Sequence, residues 1–124
     1  MRAATRRLSS IALLVGSVVA VGAGLASAHS EVRSTDPTDG ALLQSPPSQV
    51  TITFTEAPDA SFSSIHVLDS TGNAVELGRA EPVPGRPTRL RVALPASLAD
   101  GVYTVAWRAV SRTDGHLEIG RAHV

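Results

Sequence analysis

A small all-β sandwich following a removable leader is what this 124-residue sequence predicts. Three observations carry that expectation. Beyond residue 28 no segment holds a 3.6-residue apolar period for long, whereas several short segments alternate with a period of two. Proline- and glycine-rich turns separate those segments at roughly even spacing, as in two-sheet architectures. The chain also has no cysteine, so a domain this small must rest on sheet packing or on a bound metal.

The leader is residues 1–28. Arg2, Arg6 and Arg7 precede an apolar run from Ile11 to Ala26, and Ala26-Ser27-Ala28 supplies the small residues a signal peptidase needs. A retained anchor is the alternative. A membrane span needs about 20 apolar residues, and this run is slightly short, rich in Gly, Ala and Ser, and has no basic stop after it. Cleavage after Ala28 exports the protein and makes His29 its first residue, so that one residue offers both an α-amine and an imidazole. What remains is 96 of the 124 residues, with eight arginines against eleven acids and a charge of about −3. There is no lysine and no basic cluster, which excludes a nucleic-acid partner. Four aromatic residues, Phe54, Phe62, Tyr103 and Trp107, are too few for a stacking platform.

In chain order, Ser30 to Ser34 alternates weakly and suits an edge strand. Asp36-Pro37-Thr38-Asp39-Gly40 is a turn, because proline fixes φ and Asp-Gly tolerates positive φ. Val50 to Glu56 is the clearest strand: Val50, Ile52 and Phe54 share one face and three threonines the other. Glu56 continues the apolar face just before Ala57-Pro58, and a carboxylate there needs a partner or water. Ser64 to Asp69 is a short strand in which Ile65 and Val67 face inward and His66 outward; Ser70 to Asn73 turns and Ala74 to Leu77 returns. Three prolines between Glu81 and Pro87 mark a loop. Arg89 to Leu94 alternates again, Pro95 to Gly101 is a turn with room for one helical turn, and Val102 to Ser111 is the longest strand, anchored by Trp107.

Arg112-Thr113-Asp114-Gly115-His116 follows that strand. In an extended segment residues two apart project to one side, so Asp114 and His116 can present an oxygen and a nitrogen to one point. With the amine and ring of His29 this makes three nitrogens and one oxygen. Such a sulfur-free tetragonal set favours Cu(II), and more weakly Ni(II), over tetrahedral Zn(II). Taken alone, Asp-Gly-His is weak evidence, since Asp-Gly is also a common turn pair and a loop histidine is commonly solvated.

A cleavage site followed by His29, the turn Pro37 to Ala41, the strand end Phe54 to Pro58, and the run Gly101 to Arg108 leading to Ser111 and Asp114-Gly115-His116 together resemble the CopC copper-resistance family, over nearly the whole mature chain. The resemblance implies a cupredoxin-like, immunoglobulin-like Greek-key β-barrel or sandwich. It implies an exported protein, periplasmic or at the cell envelope or outside it, that binds Cu(II) through His29, Asp114 and His116. Glu56 would correspond to a family glutamate near the metal, as a weak axial ligand or beside the ligands. A monomer is expected, with copper ion and a membrane copper transporter of the CopD type as partners.

Two departures stand out. Some relatives carry a methionine-rich loop suited to Cu(I), whereas the only methionine here is Met1, so one Cu(II) site is expected. The family also closes its sheet with a last strand of alternating Phe and Val, where this chain ends Glu118-Ile119-Gly120-Arg121-Ala122-His123-Val124. That heptapeptide translates GAGATCGGAAGAGCACACGTC, all but the first base of which is a common sequencing-library adapter. The expectation is a binding domain over 29–117 and a non-native tail over 118–124, which would leave the domain without an edge strand and His123 without a role. The alternative is a degenerate strand in which Gly120 matches a family glycine.

A copper carrier or buffer is therefore the expected function, and not an enzyme. An α-amine ordinarily titrates at about 7.7–8.0 and an imidazole at about 6.5; both must shed protons to ligate, so acid should discharge the site. A copper monooxygenase shares the N-terminal histidine, but Asp114 would occupy an equatorial position here and passivate the ion. A metal-free spacer or adhesion domain is the third possibility, and predicts no thermal shift with copper.

Overall fold

The computed structural model describes residues 31–124, so the leader and His29 lie outside the described residues. Among the described residues, seven strands form two antiparallel sheets: β1 (Val32–Asp36), β2 (Gln49–Phe54), β3 (Ser64–Leu68), β4 (Glu81–Val83), β5 (Arg86–Ala93), β6 (Thr104–Val110) and β7 (Leu117–His123). One sheet has the order β1-β2-β5-β4 and the other β3-β6-β7, so the sandwich form of the expected fold is the one realised.

The period-two residues build the interior. Val50, Ile52 and Phe54 of β2 and Leu90 and Val92 of β5 project from one sheet. Ile65, Val67, Val105, Trp107, Ala109 and Ala122 meet them from the other. Each large side chain removed from water in this way stabilises the fold by roughly 1.5–3 kcal/mol.

Three local expectations change. The proline segment is not all loop: Glu81–Val83 forms a short strand and hairpins into β5, with Pro84 and Gly85 at the turn. Pro82 is tolerated because β4 is an edge strand, where a missing N–H costs no ladder bond. Conversely, Ala74 to Leu77 is no strand: Ala74 makes an isolated bridge to Leu68, the Val75 N–H donates to the Val67 carbonyl (2.8 Å), and Val75 and Leu77 pack against the core.

The third change is at the C-terminus, where an edge strand is present. Leu117 to His123 pairs with β6 from Val110 down to Thr104. Gly120 lies opposite Trp107 so closely that a Cβ there would stand 2.2 Å from the indole Cζ2. At the end of β7 the His123 N–H donates to Asp39 Oδ1 (2.6 Å) and the Gly40 N–H to the His123 carbonyl (2.6 Å). His123 is thus part of a clasp between the turn after β1 and the last strand.

Candidate metal centre

The end of the sandwich where β1 begins and β2 and β6 end is joined by backbone and side-chain hydrogen bonds. Thr55, the residue after β2, binds Glu31 twice: its N–H donates to the Glu31 carbonyl (2.8 Å), and its Oγ1 accepts the Glu31 N–H (2.9 Å). Glu56 comes next, in a bend and not on the strand itself. It is half-buried, with Oε2 shielded from solvent. The expectation that Glu56 extends the apolar face therefore holds only in part, because the chain turns before Ala57-Pro58.

That bend leads to the second half of the site. The Arg112 N–H donates to the Ala57 carbonyl (3.2 Å), Pro58 bridges Ser111, and the Asp59 N–H donates to the Val110 carbonyl (2.7 Å). The residues after β2 are in this way laid against the start of the β6–β7 loop. A single 3-10 turn, Ala60–Phe62, follows, and Asp59 caps it by accepting the Ser61 N–H (3.0 Å). Its carboxyl is held below the usual carboxylate range, first by the Ser61 hydroxyl, then by that amide, with the Arg112 charge adding to the effect.

Within the loop, Arg112 to Asp114 form a turn, which corrects the extended geometry expected for Asp114 and His116. Two residues cannot alternate along a strand that has reversed. What relates them is a bond of the kind short polar side chains make two residues on: Asp114 Oδ1 accepts the His116 N–H (2.9 Å). Gly115 between them has φ of +71°, a left-handed conformation that glycine adopts without steric penalty. Three further bonds close the loop on Ser111: its N–H donates to the His116 carbonyl (2.9 Å), its carbonyl accepts the Gly115 N–H (3.0 Å), and its Oγ accepts the Thr113 N–H (3.2 Å). Asp114 and His116 are both exposed at the tip.

The structure thus puts Glu56 and the Asp114–His116 loop at one rim, reached through Ala57, Pro58, Ser111 and Arg112. Among the described residues no group of three or more His, Cys, Asp or Glu is arranged as a metal cluster. The fourth expected donor, His29, lies outside the described residues. The donors that are described, carboxylate and imidazole without sulfur, suit a borderline or hard divalent cation.

His66 is exposed on the outer face, in register with Ala106 and Arg121, as its sequence context predicts. Sequence reasoning gave no role to Thr55 or Ser111. The only signal for Ser111 was its place in the shared motif, since a serine two residues before a threonine is too common to single out.

Comparison with known proteins gives this rim a context. The family model of the CopC domain matches residues 32–122. A copper transport protein, CutJ of Bacillus subtilis (strain 168), is 34% identical over 89 residues; the match takes in 72% of this chain but only 16% of that longer relative. Among solved structures, CopC from Methylosinus trichosporium OB3b superposes with a TM-score of 0.70 at 32% identity, covering 77% of this chain and 90% of that one. PcoC, a methionine-rich copper resistance protein from Escherichia coli, gives 0.68 at 25% identity, covering 77% and 96%.

Proposed function

Since the chain belongs to the CopC domain family, we propose that it is an extracytoplasmic Cu(II)-binding protein, a carrier or buffer and not an enzyme. The metal is bound by His29 through amine and ring together with Asp114 and His116, with Glu56 beside them. The observation that carries this reading is the double bond pair between Thr55 and Glu31. His29 is two residues upstream of Glu31, and two residues of chain reach at most about 7 Å. A connection that short supports a site shared by the N-terminal donors, Glu56 and the Asp114–His116 loop. Export follows from the basic-apolar-AxA layout of residues 1–28, and places the protein in the periplasm, cell envelope or extracellular space.

The copper-related names of the relatives support the choice of metal. One of them is titled methionine-rich, whereas this chain has a single methionine at position 1, so the site proposed here is for Cu(II) alone. Delivery to or from a membrane copper transporter of the CopD type is the proposed use of the bound ion, with the protein acting as a monomer. For domain organisation we propose a leader over 1–28, the binding domain over 29–117, and an adapter-derived tail over 118–124 that fills the place of the last strand. Resequencing the locus past the His116 codon tests the last of these, and a native stop after Val124 would sink it.

The site itself is tested by a Cu(II) titration followed by electron paramagnetic resonance and by quenching of Trp107, the sole tryptophan. Protein starting at His29 is compared with protein carrying one extra glycine before it, which converts the amine into a peptide nitrogen. Tight one-to-one binding with a tetragonal nitrogen–oxygen signal only in the native-start protein is expected. Equal binding in both removes the amine from the site; binding in neither leaves a metal-free spacer as the better account.

A further inference from the structure

Ser111 is the only polar residue among the described ones that is buried with the core, at 2% exposure, and the copper reading above does not use it. Three of the bonds that shape the 112–116 loop end on it. Its N–H and carbonyl hold the His116 carbonyl and the Gly115 N–H, and its hydroxyl takes the Thr113 N–H at 3.2 Å. Its bridge to Pro58 ties the same residue to the bend that carries Glu56.

Resting on the Cu(II) reading, we propose that Ser111 is the positioning residue of the metal centre: its hydroxyl fixes the turn that presents Asp114 and His116 before the metal arrives. The argument is one of preorganisation. Residues 112–117 are exposed and bury little apolar surface, so apolar packing does not order the loop. Polar bonds must do so. Backbone bonds at Ser111 close the loop around its first turn, Arg112 to Asp114, and the Arg112 N–H is anchored on the Ala57 carbonyl. The Ser111 hydroxyl adds a side-chain bond from the buried base of the loop into that turn, at Thr113, one residue before the proposed ligand Asp114. From there the order passes along the chain, because Asp114 accepts the His116 N–H and so sets the backbone from which the imidazole projects. A loop ordered during folding spends no binding free energy on ordering, so the affinity for the ion is correspondingly higher.

The test compares the wild-type protein starting at His29 with Ser111→Ala and Ser111→Thr, which removes and restores the hydroxyl. Cu(II) affinity is read by competition with a chromogenic chelator and the ligand field by electron paramagnetic resonance. Loss of one such bond should raise the Kd roughly two- to tenfold in Ser111→Ala. It should also replace a single hyperfine pattern by a mixture, because a loosened loop samples several ligand geometries; Ser111→Thr should recover both. A role confined to folding would lower the melting temperature and leave the hyperfine pattern of the bound ion unchanged, and that result overturns the proposal. Amide exchange in the copper-free wild type gives a second measurement that survives failure of a variant to fold. Thr113 and His116 N–H should be protected without metal, and exchange at open-loop rates would equally overturn the proposal. If wild type gives no tetragonal Cu(II) signal, the copper reading falls and this proposal with it. Wild-type binding with an indifferent Ser111→Ala removes only the proposal.

Discussion

At one end of the sandwich, the residues after β2 and β6 are laced together by backbone bonds from Glu31, Thr55, Ala57, Asp59 and Ser111, and polar side chains stand at the surface. At the other end the sheets part. Val50, Val67, Leu94, Tyr103 and Val105 line a hollow of about 350 Å³ under the loop after β1, where Leu42 is 98% exposed. That end is closed by Asp39 and Gly40 against His123 and by a backbone bond pair between Tyr103 and Val124. The contrast separates two ways of finishing a β-sandwich. Directional polar bonds fix geometry to within a narrow range of distance and angle, which a metal centre needs. Apolar contact is non-directional and leaves room for imperfect filling. The rim of the proposed site is thus held by directional bonds along its loops, whereas the opposite end encloses a hollow.

The largest break expected is Phe54→Ala. Phe54 is 2% exposed, pairs with Val32, and precedes Thr55 directly, so it supports the rim from beneath. Truncating a buried phenylalanine costs about 3–5 kcal/mol, a large share of the 5–15 kcal/mol typical of a domain. Urea denaturation should show that loss, with weaker Cu(II) binding at a temperature where the variant is still folded. An unchanged midpoint would mean that the rim does not depend on the core below it.

Gly120→Ala comes next, between the two ends. The added Cβ would overlap the Trp107 indole, at 2.2 Å from Cζ2 and 2.8 Å from Nε1, and neither the backbone nor the ring can yield cheaply. Overpacking of this kind costs about 1–3 kcal/mol, and the loss should appear in thermal denaturation together with altered Trp107 fluorescence. A neutral result would show that β7 does not sit on Trp107 in solution, which is also what a dispensable tail predicts.

That strand shows where the sequence was readable and where it was not. The period-two faces of β2 and β5 and the anchoring of β6 by Trp107 follow from local pattern, because each of those strands buries one face by itself. Leu117 to His123 has no such alternation: Ile119 is exposed, Gly120 has no side chain, and only Ala122 is buried. Its strand character is supplied by β6, a partner that local propensity does not see. The same holds for β4, whose Pro82 argues for a loop until its edge position is known. At the proposed site, the extended geometry inferred for Asp114 and His116 gave way to a turn. Gly115 at positive φ and the Ser111 bonds are tertiary choices that spacing alone does not encode.

A smaller effect should separate the ends functionally. Asp39→Ala removes the acceptor of the His123 N–H and the nearby carboxylate 3.8 Å from its Nδ1. Both groups are exposed, so the loss should be about 0.5–1.5 kcal/mol, measured by urea denaturation. Cu(II) affinity should be unaltered, because no bond at the rim is touched. A parallel fall in affinity would show that the two ends communicate and that the division drawn here is false.

Acid gives the smallest and most even-handed comparison, since each end carries one carboxyl held low by a neighbouring hydroxyl. At the rim it is Asp59, through Ser61. At the far end it is Asp69, through Thr71 and then the Asn73 amide, in the turn after β3. For both, the folded pKa lies below the ordinary value of 3.8. The stabilisation is therefore fully present above that value and is lost as pH falls through the folded pKa. Melting temperature should stay level from neutral pH to about pH 4.5 on this account and then decline, with Asp59→Asn and Asp69→Asn each flattening part of the decline. Copper should leave well before that, because amine and imidazole donors take up protons in a higher range than carboxylates. Two separated acid transitions, metal loss first and caps second, are thus expected in one titration followed by copper absorbance and circular dichroism. Coincidence of the two would place metal release on the carboxylates and unfolding, and would remove the nitrogen donors from the account of the site.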